Sequence, residues 1–410
     1  MTVQILLDET PFGVRGAALD DETPTRLHHI FHHDPSPRTG DLYMARVGRR
    51  DQRLGAVVCD LGPAGEGLLT VKDKAYTDGQ LIPVAIRREG FGGKRPLLTD
   101  RPLLKLPAAT HALDPEADAR PGPLGALEAP QEVLSPLASL PQAPGRLDSV
   151  PALIRLLTGI ASSAATEIVC STGEMAASLT DYVPETVELS GSDEVPMILN
   201  EIEDDALARV VPLDGGGSLV IDQAEALTAV DLDLGASSGL SKKGADAGLL
   251  RRALAVLGPS LSLHGLGGQV VLDLPRGATR APKMIRDQLT ASLKPFGLMS
   301  VPAVTKEGLV VMIFGQDRMP VLERLTEEVA SSVVMAGRRL RPAVLAQRAY
   351  AALHDALRRD AGASLALHLR QDAEDLWRST QASEPLVRAF TERFTILPSD
   401  HVDCQIETKP

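Results

Sequence analysis

Two acids stand where carboxylates could do chemistry. Asp231 follows TAV and Asp273 follows VVL, so each lies at or near the carboxyl end of an apolar run that reads as a strand. If those strands are neighbours, the two carboxylates, 42 positions apart in the chain, face each other. Like charges about 4 Å apart repel strongly, so such a pair needs a shared proton or a divalent cation. Two carboxylates in an oxygen-rich site suit magnesium, which keeps several waters and takes phosphate oxygens as further ligands. Asp233 lies two residues beyond Asp231, on the same face of a strand, and would add a third oxygen or orient a water. An aspartate at a strand end also serves as a turn or cap residue, and spacing does not decide between these readings.

The elements that must position these acids form a strand-rich α/β layer. LVID (Leu219 to Asp222) and ALTAVDL (Ala226 to Leu232) precede a Gly/Ser/Lys loop from Gly235 to Gly244 and an Ala/Leu-rich helix from about Ala247 to Leu257. QVVLDL (Gln269 to Leu274) follows, then a helix with Ile285, Leu289 and Leu293 at i, i+4 spacing, then GLVVMIF. Upstream, Gly40 to Thr99 holds short strands between turn signals, the pattern of a small antiparallel barrel or sandwich. Eight prolines between Leu106 and Val150 indicate a linker or extended strap. Order resumes with a helix through Ile154 and Ile160, a strand from Glu167 to Cys170 and a helix from Val195 to Ala208. A helix from Ala343 to Arg359 and a final α/β unit ending near Ile406 make a small C-terminal domain.

With 410 residues, the chain is long enough for two or three domains at about 150 residues each. Its 44% hydrophobic and 23% charged content excludes a largely disordered chain. A net charge of −12 and 3% aromatic residues argue against a generalist nucleic-acid binder, which needs cations for phosphates and aromatic platforms for bases. Cys59, Cys170 and Cys404 are far apart and form no CxxC pair, so neither a disulfide framework nor a four-thiolate zinc site is expected. The N-terminus reads as a first strand rather than a signal peptide, and no apolar run approaches the about 20 residues of a membrane span. These features suit a soluble protein of the cytoplasm.

The segments around the acids resemble the ribonuclease E/ribonuclease G family of endoribonucleases. GGGSLVIDQAEALTAVDLDLG (Gly215 to Gly235) is similar to the family's first acid motif and LGGQVVLDL (Leu266 to Leu274) to its second. IEDDALARVVPLDGGG (Ile202 to Gly217) is similar to the helix leading into the first hairpin. GDLYMARVGRRDQRLGAVVCDLGPAGEGLL (Gly40 to Leu69) and GKRPLLT (Gly93 to Thr99) are similar to the family's S1-type barrel. The resemblance implies an α/β (α+β) multidomain chain. Its parts are a split ribonuclease-H-like domain (1–35 plus 151–214), an inserted S1-type, OB-fold RNA-binding barrel (36–105), a Pro-rich linker in place of a 5′-sensor (106–150), a DNase-I-like catalytic domain (215–325) and a small C-terminal domain (326–410).

The same resemblance makes Asp231 and Asp273 the catalytic, magnesium-binding aspartates, with Asp233 beside them, and makes single-stranded RNA the partner. Lys94 matches the barrel's lysine; Arg87 and Arg95 lie in the same basic stretch, which reads either as a solvated face or, in an acidic chain, as a local positive path for RNA. Lys94 is equally readable as a solvated turn lysine. The departures are specific. Asp233 stands where the family has Asn, and Arg276 replaces an acid. Ser262 and His264 replace two arginines, and Lys306, Glu307, Gly308, Leu309 replace Arg-Phe-Gly-Leu. Val58 and Leu68 fall where phenylalanines would stack on bases. No Cys-Pro-x-Cys motif occurs between Gln316 and Leu340, so any homo-oligomer would lack a zinc link, and no Arg-Thr sensor of the 5′ end is found.

Other readings stay open: a non-catalytic RNA-binding or regulatory homologue, or a metal-dependent phosphoesterase on a small substrate. His28, His29, His32 and His33 have spacing that suits a metal on a helix, but RLHHIFHHD sits where a strand is expected, and alternation puts the histidines on both faces of an exposed strand end. Trp377 and Tyr350 read as core.

Overall fold

The computed structural model describes residues 3–32, 34, 36–70, 76–100, 143–147, 152–160, 165–180, 183, 186–233, 242–274, 282–316, 318–329, 337–400 and 403–408, with backbone only at 158–159 and 242–249. The chain opens with an antiparallel meander of β1 (Val3–Thr10), β2 (Gly13–Asp20) and β3 (Thr23–Phe31). It then builds a five-stranded closed barrel from β4 (Leu42–Asp51), β5 (Ala56–Asp60), β6 (Glu66–Thr70), β7 (Leu81–Arg88) and β8 (Leu97–Thr99). The strand order is β5-β6-β8-β7-β4, and β4 pairs with β5 to close the ring. The β6–β8 pair is parallel. Alternation turns Tyr43, Ala45, Val47, Val57, Cys59, Leu69, Val84 and Ile86 into the barrel core.

The Pro-rich stretch lies outside the described residues from 106 to 142 and from 148 to 150. Its described part includes a strand: β9 (Gly145–Arg146) pairs with Tyr43 and Met44 of β4. The chain then returns to the first sheet through α1 (Ala152–Ile160), β10 (Ala165–Cys170), α2 (Gly173–Ser178) and β11 (Glu188–Gly191), giving the order β11-β10-β1-β2-β3 with β10 parallel to both neighbours. Ile5, Leu7 and Ile30 pack with α1 and α2 on one face. Leu6, Ala17, Leu27 and Phe31 pack with α3 (Val195–Leu207) on the other.

That double cover corrects one expectation. His28 and His29 do fall on opposite faces, but both faces are covered, so both rings are buried rather than at an exposed strand end. His29 Nε2 lies 2.8 Å from Glu203 Oε1. Arg15 completes the cluster, donating to Asp8 at 2.9 Å, to Glu203 and Asn200 at 2.7 Å and to the Pro196 carbonyl at 3.0 Å.

The third unit is a mixed six-stranded sheet: β12 (Val210–Pro212), β13 (Ser218–Gln223), β14 (Thr228–Asp233), α4 (Lys242–Leu263), β15 (Gly268–Asp273), α5 (Pro282–Leu293), β16 (Leu298–Val304) and β17 (Leu309–Phe314). Its order is β12-β13-β14-β15-β17-β16. Only β14–β15 is parallel, because α4 provides the crossover that parallel pairing requires. The helix starts at Lys242, inside the stretch expected as loop through Gly244. Ile285, Leu289 and Leu293 are fully buried, as their spacing predicts, against Leu219, Val230, Val270 and Val310.

Beyond this sheet come α6 (Val321–Leu325) and the hairpin β18 (Thr326–Glu328) and β19 (Arg338–Leu340). The last unit runs α7 (Pro342–Arg359), β20 (Leu365–Arg370), α8 (Gln371–Ser379), α9 (Ser383–Phe390), β21 (Phe394–Ser399) and β22 (Cys404–Thr408), in the order β21-β20-β22. Trp377 is buried in its core, 5.5 Å between ring centroids from Phe12 of the β1–β2 turn. Arg348 of α7 also reaches Glu203, locking this unit to the first sheet. The barrel is anchored twice: Arg155 forks Asp41 at 2.7 Å to each oxygen, and buried Glu89 accepts from Met319 N–H at 2.8 Å and from Arg324. Among the described residues no helix is long and apolar enough to cross a membrane.

Candidate functional site

Strict alternation in TAVDLD sends Thr228, Val230 and Leu232 to the core and Ala229, Asp231 and Asp233 to the open face. β15 does the same: Val270 and Leu272 go in, Asp273 out. The parallel register makes Asp231 and Asp273 direct partners, so their backbones are one strand spacing apart, about 4.8 Å. The condition set by the sequence is met. Both side chains are exposed, and no hydrogen bond or ion pair holds either one among the described residues.

Val220 on β13 and Leu309 on β17 flank the pair in the same row, while Asp233 pairs with Ser218 one step further out. The β16–β17 turn closes over Asp273: Leu274 N–H donates to Gly308 O at 3.1 Å. Gly308 has φ +118°, and a Cβ there would collide with Leu274 O and lie 3.4 Å from Asp273 Oδ1. Only glycine lets the turn lie this close to the carboxylate.

Two adjacent carboxylates, open to solvent and lacking a cationic partner among the described residues, match the donor chemistry of a hard divalent cation that retains waters. They are not a cage. Among the described residues no group of three or more His, Cys, Asp or Glu side chains is placed to hold a metal.

The predicted cations belong to the barrel rather than to the acid-bearing sheet. Lys94 ends the turn Phe91–Gly92–Gly93–Lys94, closed by its N–H to Phe91 O at 3.0 Å and made possible by positive φ at both glycines. Its side chain is exposed, as is that of Arg87 on β7. Arg95 forks Glu66 at the surface, at 2.9 and 2.8 Å. Val58 and Leu68 are cross-strand partners on the barrel's outer side. His264 is taken up by backbone, its ring nitrogens lying 2.7 Å from Ser260 O and 3.0 Å from Ala208 O. Sequence reasoning missed the closeness of Gly308 to Asp273; the Glu-Gly pair before LVVMIF was its only signal.

Fold and exposed acids together define a mixed α/β protein with a closed barrel and a paired-carboxylate rim on an open sheet face. Residues 143–313, which include both acids, match the model of the Ribonuclease E/G family. No curated protein matches the chain.

Proposed function

We propose that the chain is a magnesium-dependent endoribonuclease that hydrolyses phosphodiester bonds of single-stranded RNA in the cytoplasm, in ribosomal RNA processing or messenger turnover. The observation that carries this reading is the pairing of Asp231 with Asp273 on adjacent parallel strands inside the family-matched stretch. Asp231 and Asp273 would hold the ion, with Asp233 orienting a water. Bound there, magnesium supplies charge neutralisation at the scissile phosphate and a water of lowered pKa. The protein's own part is to fix the two carboxylates by strand register and to keep the Gly308 side of Asp273 free of side chains.

Topology supports the domain reading. In the barrel the third and fifth strands are parallel and the first pairs with the second and fourth, which suits a Greek-key OB-type barrel. In such barrels the second and third strands and the loops beside them form the nucleic-acid face. Here that face holds Val58 and Leu68, with Arg53 in one loop and Lys94 and Arg95 in the other. The order 3-2-1-4-5 of the first sheet supports a ribonuclease-H-like domain over 1–35 and 151–214. Cleavage is proposed to ignore the 5′ end, and self-association to proceed without zinc.

The test is an end-labelled, AU-rich single-stranded RNA in magnesium or EDTA, with the native chain, Asp231→Asn and Asp273→Asn. Cleavage in magnesium alone, reduced at least about 100-fold by either substitution, is expected. Cleavage that survives both places the chemistry elsewhere. Binding without cleavage supports the second reading, a regulatory RNA-binding homologue, which the backbone-bound His264 favours.

A further inference from the structure

The rim that carries the acids ends in a feature the nuclease chemistry does not use. The β12–β13 turn is Asp214–Gly215–Gly216–Gly217, and its three glycines have φ of +73°, +98° and +90°. Gly217 precedes Ser218, the partner of Asp233, so the turn sits at the same end of the sheet as the acids. Along β14 that is two residues from Asp231, about 6.6 Å. Gly216 faces open space. Gly215 faces Arg252 of α4: a Cβ on Gly215 would lie 3.4 Å from Arg252 Nη1 and 3.9 Å from its Cζ. Arg252 is half-buried, its Nε is buried with no hydrogen-bond partner, and no carboxylate pairs with it among the described residues. Gly216 N–H closes the turn on Leu213 O at 3.0 Å, so the anion donor is the guanidinium, which has no acid partner among the described residues, and the glycines contribute a lip without side chains that lets a phosphate approach it.

We propose that Arg252 and the Gly215–Gly217 turn form a phosphate-binding lip that takes a non-scissile phosphate of the RNA strand next to the bond at Asp231 and Asp273. The assignment rests on the nuclease reading of that rim.

The test is fluorescence anisotropy of a labelled single-stranded RNA with the full chain in EDTA, from about 50 to 200 mM salt. Arg252→Gln is expected to weaken binding about fivefold and to lower the slope of log affinity against log salt by about 0.7, the value for one single-strand phosphate contact. Arg252→Lys is expected to keep the slope. If RNA binds and Arg252→Gln leaves both quantities unchanged, the lip is wrong and the nuclease reading stands. If Gln and Lys weaken binding alike, Arg252 acts by packing under Gly215 and the lip is again wrong. If the native chain binds no RNA, both readings fall together.

Discussion

Asp231 and Asp273 are held at one strand spacing by register alone, whereas the buried acid Glu203 is gripped by three basic side chains. Burial by itself would raise the pKa of Glu203, but Arg15, His29 and Arg348 outweigh it and hold the carboxyl well below the usual carboxylate range. At His28 and His29 burial is the largest influence and lowers both values. Arg38 and Arg318 push His28 the same way, while Glu203 opposes the shift at His29 without reversing it. All three groups therefore have depressed folded values, so their stabilisation is complete above the unfolded values. It is lost on acidification, first below the ordinary histidine value of 6.5 and then below the ordinary glutamate value of 4.5. Denaturant midpoints are expected to fall from pH 7 to pH 5 and more steeply below 4.5. Glu203→Gln should cost about 3–5 kcal/mol at pH 7, because Arg15 and Arg348 are left without their shared carboxylate, and should flatten the limb below pH 4.5. A limb of unchanged steepness would assign the acid sensitivity to other carboxylates.

At the scale of elements, the alternation in TAVDLD and QVVLDL made the two faces of β14 and β15 legible, and the spacing of Ile285, Leu289 and Leu293 made α5 legible. What no local pattern contains is adjacency. The pairing of Asp231 with Asp273 depends on α4 crossing over the sheet and returning the chain in parallel register, a long-range outcome. The histidines of β3 failed for the same reason, since alternation gives faces but not what covers them. The β16–β17 turn offers a test of positioning. Gly308→Ala puts a Cβ at φ +118° against Leu274 O, and strain of this kind costs about 1–3 kcal/mol. Thermal melting should register that loss, and single-turnover cleavage should slow while RNA affinity stays within about twofold. Equal losses of affinity and rate would show that the turn serves binding instead.

At the scale of the molecule, negative charge is a whole-chain sum, and it leaves room for the cations of two barrel loops. The shortage of aromatics is more specific, because it falls at Val58 and Leu68, paired across β5 and β6. Replacing both with phenylalanine should tighten single-stranded RNA binding by about 1–3 kcal/mol for each ring that stacks, read as a drop in Kd by anisotropy. No change in Kd would remove this face from the RNA path. The double anchoring of the barrel through Asp41 and Glu89 means that such a gain is made on a surface already fixed to its neighbours.

The pairing of β9 with β4 bears on how the chain tolerates change in length. β8 ends at Thr99 and β9 begins at Gly145, and both belong to the same hydrogen-bonded barrel sheet. The segment between them is therefore an excursion whose two ends are stapled to one body. Doubling the length of such an excursion costs only about 0.6 kcal/mol in closure entropy. A change of chain length between these two points is therefore expected to leave the barrel's register intact, with an unchanged thermal melting midpoint as the check.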